Sequence, residues 1–268
     1  MNKNQLLEEL SDSFLQLQIS RADQVYITGN VSKLARTRLH RDEILASLYE
    51  SLIRVLSDEG TIFSPAASMN LCNTDIAFDV NKTPSYEMGP LAEFLRLKTD
   101  SNRSLHPFWS ICGNGKNSSI LNHVSRHSYG IMSPWSHFLD MDVKQINIGL
   151  HPSKAVTLIH HIETTFGVPY RYTKEFIHPV IRGNRVVKEP FYMSVMYKEA
   201  NIQKKEKLNE HYFHKLSNEG KLFHAKHQSG IDLWSFSMRD FYETASSFFI
   251  EDIYNYLETE PTIKPYQS

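Results

Sequence analysis

Cysteine is scarce in this sequence, which limits how the fold can be cross-linked. The two cysteines, Cys72 and Cys112, lie far apart and outside any metal-ligand spacing. A disulfide framework is therefore not indicated, and reduced thiols favour a cytoplasmic protein. At 268 residues the chain is long enough to bury a core without such cross-links.

Net charge and long apolar runs are missing as well. Lys+Arg 29 against Asp+Glu 30 leaves a formal charge of -1, which argues against both a strongly basic nucleic-acid surface and a strongly acidic cage for polycations. No run approaches about 18 apolar residues, and the N-terminal stretch lacks the apolar segment of a signal peptide. We expect no nucleic-acid partner, no membrane association and no export.

The patterns that are present predict alternating strands and helices. A short apolar strand over 24–31 is followed by a helix over 41–60 and a second strand at "TIFSPA", which is the order of a βαβ unit. Another strand is expected over 143–150, and 175–200 alternates as two strands around a turn. We expect an α/β fold, in which residues 1–268 form a single-domain α/β/α sandwich with a central mainly parallel or mixed sheet.

Two helices and a long loop region complete this prediction. The N-terminal stretch "MNKNQLLEELSDSFLQ" and the stretch through "FYETASSFFIEDIYNYL" have apolar positions at helical spacing. Between the two α/β segments, 72–137 is rich in Pro, Ser, Asn and Gly. Loops of that length in a compact domain are often functional.

The stretch "HPSKAVTLIHHIETTFG" (151–167) predicts a helix with Ser153 as N-cap and Gly167 as its stop. At about 100° per residue, Glu163 falls at the edge of the apolar stripe, His160 lies beside Glu163, and His161 points away from the stripe. A histidine held by a carboxylate is the arrangement of an oriented general base. The alternative is an ordinary His/Glu pair on a helix surface.

The middle segment resembles a known enzyme family. Residues 78–115, "FDVNKTPSYEMGPLAEFLRLKTDSNRSLHPFWSICGNG", combine an early Asp, "TPS", "MG.L.E..R" and "RS.HP..S", a run similar to that of the antibiotic N-acetyltransferases, typified by the aminoglycoside 3-N-acetyltransferases. Four further stretches resemble the family in the same order: "QLLEELSDSFLQLQISRADQVYI", "DEGTIFSPA", "YGIMSPWSHFLDMD" and "NIGLHPSKAVTLIHHIE". The resemblance covers most of residues 5–175 and is weaker beyond them.

The resemblance implies acetyl transfer from acetyl-CoA to an amine, and it places the family's histidine on His160 and its glutamate on Glu163. It also implies that the loop "TGNVSKLA" (28–35) helps to hold coenzyme A. This loop departs from the family pattern at Thr28 and Asn30. Its candidate coenzyme-binding residues are Ser32, Lys33 and Leu34.

Such a reaction assigns roles to further residues. A base with a pKa near 7 can take a proton from the amine as it attacks the thioester, so we expect His160 as base, Glu163 as its orienter and Thr157 as a neighbouring hydroxyl, with no metal. Asp79 and Glu93 are candidates for binding the substrate amines, the alternative being that they satisfy loop backbone donors.

The loop around "RSLHPFWS" supplies candidates for the coenzyme side. Arg103 either binds a coenzyme phosphate or holds a loop carboxylate such as Glu93. His106 precedes a proline and so has a fixed loop position, with Ser104 and Ser110 nearby as donors.

The sequence is also compatible with two other functions. Cys112 in "SICGNG" could act as a nucleophile in a ping-pong acyl transfer, or it could be a buried packing residue. A non-enzyme alternative is a metal- or partner-binding protein that uses a histidine cluster, His211, His214, His224 and His227, although the lysine-rich setting favours a solvated face.

The acceptor is also open. An enzyme for polycationic aminoglycosides would favour an acidic cleft, which a sequence pI of 6.9 does not indicate. A neutral or nucleotide-linked amino sugar of a polysaccharide pathway is therefore the rival substrate. The partners expected are a small-molecule amine and coenzyme A, for a monomer or a homodimer.

Overall fold

The computed structural model describes residues 1–199, 201–205 and 209–267. Its helices are α1 (Lys3–Gln16), α2 (Arg41–Leu56), α3 (Gly89–Arg96), α4 (Pro134–Asp140), α5 (Ile159–Phe166), α6 (Glu210–Asn218) and α7 (Met238–Glu251). Its strands are β1 (Gln24–Gly29), β2 (Thr61–Pro65), β3 (Asn102–Arg103), β4 (Ile111–Gly115), β5 (Lys144–Ile148), β6 (Arg171–Arg182), β7 (Arg185–Met196), β8 (Phe223–Lys226) and β9 (Asp232–Ser237).

A seven-stranded sheet lies at the centre, in the order β3-β4-β2-β1-β5-β9-β8. Strand β1 is parallel to β2 and to β5, and the other pairs are antiparallel. The expected β1-α2-β2 unit is therefore present, and the sheet is mixed. Because β1 and β5 are parallel, the loops that follow them leave the same edge of the sheet, where α/β proteins commonly bind ligands.

Helices cover both faces of this sheet, because successive strand residues point to opposite sides. Val25 and Ile27 of β1 pack into a core with α1, α2 and α3, whereas Tyr26 packs into a second core with α4, α5, α6 and α7. The predicted α/β/α sandwich is thus confirmed.

Strands β6 and β7 form a separate hairpin, as predicted for 175–200 but beginning earlier. Its turn contains Gly183, with φ 59°, and its strands pair along their full length. Short bridges join the hairpin to the loop region at Phe78 with Val180 and at His127 with Tyr192. The hairpin therefore packs against the long middle loops.

The helix predicted over 151–167 is shorter than expected. Ser153 is not its N-cap: Pro152–Lys154 form a 3-10 turn, and the α-helix begins only at Ile159. The intervening chain is held from β5, where Gln145 and Asn147 donate side-chain hydrogen bonds of 2.7 and 3.4 Å to the Ala155 carbonyl. Gly167 does end the helix in a left-handed conformation, with φ 60°.

The last predicted helix also differs, because α7 ends at Glu251 and the chain turns through 252–257. Among the described residues, no helix combines the length and apolar character required to cross a membrane.

Candidate active site

The predicted His/Glu pair is formed in the first turns of α5. His160 Nδ1 lies 2.7 Å from Glu163 Oε2. The Glu163 side chain is 0% exposed, whereas that of His160 is 22% exposed. Glu163 is thus more deeply buried than its expected place at the edge of the apolar stripe. Because the carboxylate is fully buried and the imidazole is only partly exposed, this pair is not the solvated surface pair that was the alternative interpretation.

Arg171, the first residue of β6, completes this cluster and was not predicted. Its Nε lies 2.8 Å from Glu163 Oε2, and one terminal nitrogen lies 3.0 Å from His160 Nδ1. Two groups compete for Nδ1: a carboxylate that requires a donor there and an arginine nitrogen that can only donate. We assign the proton to Nδ1 because the carboxylate contact is the shorter one, so the Arg171 nitrogen is close to Nδ1 without a hydrogen bond to it. The other ring nitrogen, Nε2, is then a free acceptor.

Electrostatics keep this imidazole neutral. Burial lowers the pKa of His160, the contact with Glu163 opposes this shift, and Arg171 and Lys204 lower the pKa further, with a net lowering. Burial raises the pKa of Glu163, but the contacts from His160 and Arg171 outweigh it, so that the net shift of this pKa is downward. A neutral imidazole on an ionised carboxylate is a competent base at neutral pH.

Two adjoining cavities of about 480 and 510 Å³ meet at His160. Trp109, His160 and Lys204 line both of them. The edges of the histidine ring are packed by Tyr129 and Tyr256, with ring centres at 5.7 and 6.0 Å. The cavities can therefore admit two reactants that meet at the imidazole.

Thr157 lies on the wall of the first cavity, next to His160. Its carbonyl accepts a 3.1 Å hydrogen bond from the His160 backbone N–H. Asn209 lines the same cavity, and its buried Oδ1 has no hydrogen-bond partner within the part of the chain that the structure describes. Thr157 and Asn209 thus both lie beside His160, and the Asn209 Oδ1 is buried behind the cavity wall.

His161 does not point outward, contrary to the prediction from an idealised helix. It is buried, and its Nδ1 accepts a 3.1 Å hydrogen bond from the Gly130 N–H. Burial lowers the pKa of His161 to about 4, which keeps that nitrogen an acceptor. The loop around Gly130 covers this face of α5, and local periodicity cannot reveal such tertiary packing.

The four candidates of the "RSLHPFWS" loop are buried inside the protein. His106 Nδ1 accepts a 3.1 Å hydrogen bond from the Trp109 N–H, and burial lowers the pKa of His106 to about 4. The Ser104 hydroxyl accepts from the Ile111 N–H. These residues fix the loop that carries Trp109 to the cavity.

Arg103 also stabilises this loop. Its guanidinium donates to the carbonyls of Thr83 and Ala66 and to the Ser110 hydroxyl. Burial lowers the pKa of Arg103 to about 10. Of its two predicted roles, coenzyme-phosphate binding finds no free donor here, and Glu93 is held by Arg96 instead. The geometry favours a role in loop structure.

Asp79 and Glu93 are both engaged by the protein. Asp79 Oδ1 accepts from the backbone N–H groups of Asn81 and Lys82 at 2.9 and 3.1 Å. Glu93 accepts hydrogen bonds from Nε and one terminal nitrogen of Arg96, and this contact lowers the pKa of Glu93 to about 2 despite partial burial. Neither carboxylate lines the cavities at His160.

The loop after β1 borders a separate cavity of about 530 Å³. Ser32 lines it, and the Ser32 N–H donates to the Asn30 side chain at 2.9 Å. Lys33 instead lies 3.9 Å from Asp232, and Leu34 is buried in the core. The N-terminal turns of α2 and α3 supply Arg41 and 89–91 to the same cavity.

The structure argues against Cys112 as a nucleophile. Cys112 is fully buried in β4, and burial raises the pKa of its thiol to about 12, which suppresses the thiolate that a nucleophile needs. Among the residues with described positions, no group of three or more His, Cys, Asp or Glu is placed to hold a metal. His224 contacts Asp232, and His227 contacts Glu9.

Comparison with known proteins identifies the family. The family model for aminoglycoside 3-N-acetyltransferases matches residues 36–249. The fold is similar to that of AAC-IIIb in a binary complex with CoASH, with TM-score 0.79, 16% identity and coverage of 95% of this chain and 98% of that one. It is also similar to aminoglycoside acetyltransferase AAC(3)-Xa, with TM-score 0.78, 16% identity and coverage of 91% and 92%.

A third similar structure is AAC-VIa bound to sisomicin, with TM-score 0.76, 18% identity and coverage of 91% of this chain and 96% of that one. A search of curated proteins returned no significant match. At these identities the solved structures establish the fold, and the family model establishes membership. The chain belongs to the aminoglycoside 3-N-acetyltransferase family. The predicted N-acetyltransferase class is thereby confirmed.

Proposed function

We propose that this protein transfers the acetyl group of acetyl-CoA to the amino group of an amino sugar, with His160 as the general base. The observation that supports this most strongly is the sealed Glu163 carboxylate, which holds His160 Nδ1 at 2.7 Å while the rest of the ring lines a cavity. The acceptor class comprises aminoglycosides and nucleotide-linked amino sugars. We further propose that residues 1–268 act as a single domain.

The chemistry follows from this geometry. The amine nitrogen bonds to the thioester carbon, and His160 Nε2 takes the proton that the nitrogen loses. The carbon–sulfur bond then breaks, and the thiolate of coenzyme A leaves and is protonated by the imidazolium. Glu163 stabilises that imidazolium while it exists. The Thr157 hydroxyl can donate to the developing oxyanion from the cavity wall.

Coenzyme A would extend from His160 along the sheet edge where β1 and β5 end. The cavity beside Ser32 is the candidate for its distal part, since it combines apolar walls with the backbone N–H groups of two helix N-termini and Arg41. AAC-IIIb, a structural relative, was solved with CoASH. We keep Ser32 as the first candidate from this loop, ahead of Lys33 and Leu34.

The test is thiol release from acetyl-CoA in the presence of a panel of amino sugars and aminoglycosides. His160→Ala should reduce turnover by about 10²–10⁴-fold, the usual contribution of a general base. The matched control is His123→Ala, at an exposed histidine outside both cavities. Near-normal turnover of a folded His160→Ala enzyme would refute the base assignment, and no release with any amine would refute the function.

A further inference from the structure

The walls of the two cavities at His160 carry an excess of positive charge. Lys154 lines the first cavity, Lys198 lines the second, and Lys204 lines both. Arg171 adds a guanidinium, but it is paired with the buried Glu163. Among the described residues that line the two cavities, Glu210 alone carries a carboxylate. Residues 206–208 lie outside the described part of the chain, and in the sequence they contain one acidic and one basic residue.

None of the three ammonium groups has a partner carboxylate in the described parts of the chain, in contrast to Lys116, Lys144 and Lys188, which are all paired. Lys204 is the most significant of the three because of its position. Its Nζ lies 5.9 Å from the centre of the Tyr256 ring, whose centre is in turn 6.0 Å from that of His160. Lys204 is exposed on the wall of both cavities, and an unpaired cation in that position attracts an anion.

We infer that the acceptor amine carries an anionic group, such as a phosphate, phosphodiester or carboxylate, which Lys204 binds beside His160 with help from Lys154 or Lys198. This inference rests on the proposed N-acetyl transfer and specifies its substrate class. A polycationic aminoglycoside would bring several ammonium groups against these lysines. An amino sugar linked to a nucleoside diphosphate, or one bearing its own phosphate, would neutralise them.

The phosphates of coenzyme A are the competing explanation for these lysines. A long pantetheine arm separates those phosphates from the reacting thioester. A cation close to His160 is therefore placed for a group on the acceptor rather than for the far end of the coenzyme. Lys154 also lines a neighbouring cavity with His151 and His214. Lys204 lines both cavities at His160 and is therefore the residue that the test changes.

The test compares acceptors that differ in charge but share an amino sugar: glucosamine, glucosamine 6-phosphate, a nucleoside-diphosphate-linked amino sugar and sisomicin. Thiol release from acetyl-CoA gives kcat and KM for each. We expect the anionic acceptors to exceed glucosamine and sisomicin in kcat/KM by about tenfold or more, since contacts to charged groups are the stronger ones. The two anionic acceptors distinguish a sugar phosphate from a nucleotide.

Two variants at one position then assign the effect. Lys204→Gln should raise KM for the anionic acceptor by up to about fivefold, as for an exposed ion pair, and leave KM for glucosamine and for acetyl-CoA unchanged. Lys204→Glu should reduce anionic turnover further and improve sisomicin. The matched control is Lys226→Gln, on the exposed edge strand β8, and thermal melting checks folding.

Preference for sisomicin would overturn the inference and leave the N-acetyltransferase function intact. A rise in KM for acetyl-CoA in Lys204→Gln, with no change for the acceptor, would also overturn it, because the lysine would then serve the coenzyme. No thiol release with any acceptor would instead show that the proposed function itself is wrong.

Discussion

The buried pair of Glu163 and Arg171 can be tested by removing one charge at a time. Glu163→Gln keeps the side-chain shape and leaves Arg171, 8% exposed, without its counter-charge, and Arg171→Met leaves the carboxylate stranded. At 2.8 Å and an effective dielectric constant of about 20, the gross attraction is about 6 kcal/mol. Desolvation offsets much of this, and breaking one side of a buried pair typically costs about 3–5 kcal/mol. We expect each single variant to lose that much free energy of unfolding.

The double variant, Glu163→Gln/Arg171→Met, leaves no stranded charge. We therefore expect the double variant to lose less free energy of unfolding than the two single variants lose together. Urea unfolding of all four proteins in a double-mutant cycle measures the difference. Its thiol-release activity should nevertheless stay at least tenfold below that of the wild type, because the imidazole has lost its carboxylate. Stability and catalysis would then respond differently to the same pair of substitutions.

The exposed pair of Glu8 and Arg54 supplies the control, since it joins the same residue types with both side chains more than half exposed. Glu8→Gln and Arg54→Met should leave unfolding and turnover unchanged. If the single variants at the buried pair unfolded like the wild type, or if the double variant showed simple additivity, the assignment of a buried, mutually dependent pair would be refuted.

Three further predictions follow from the site. The acid limb of the kcat/KM profile should lie below the ordinary histidine pKa of 6.5, because burial lowers the pKa of His160. Glu163→Gln removes a contact that raises this pKa and should move the limb to lower pH. Arg171→Met removes a charge that lowers this pKa and should move the limb to higher pH. Cys112→Ala should keep turnover within about twofold while losing about 1 kcal/mol of stability from the small cavity, as measured by unfolding and thiol release; loss of activity in a folded variant would restore the ping-pong reading. Arg103→Met should lower the melting temperature clearly, because it leaves the Thr83 carbonyl without its donor and leaves the Ala66 carbonyl with only the Ser110 hydroxyl. KM for acetyl-CoA should stay unchanged in the folded fraction, whereas a raised KM would show that this arginine contacts the coenzyme.

Local patterns in the sequence predicted the parts of the fold that local physics determines. The β1-α2-β2 unit, the strand β5 and the end of α5 at Gly167 each depend on alternation, helical spacing or a backbone conformation that glycine favours. The pairing of His160 with Glu163 needs only one turn of helix, so it was predicted correctly although the start of that helix was not.

What the patterns missed depends on contacts between distant segments. Arg171 reaches the site from the far side of the turn at Gly167, so helical spacing cannot reveal it. Trp109 lies on a loop fixed by His106, in a segment from which only polar residues were predicted to bind the coenzyme. The start of α5 was misplaced because side chains of β5 hold the Ala155 carbonyl, a constraint absent from the sequence of 151–158 itself.

The late start of α5 has an electrostatic consequence for His160. His160 is the second residue of an eight-residue helix that begins at Ile159, and it therefore lies at the positive end of the helix dipole. That field disfavours a cationic side chain by about 0.3–1 kcal/mol. Had the helix begun near Ser153, the same imidazole would lie in mid-helix, outside this field. Irregular chain before the helix thus contributes to keeping the histidine unprotonated and ready to accept a proton.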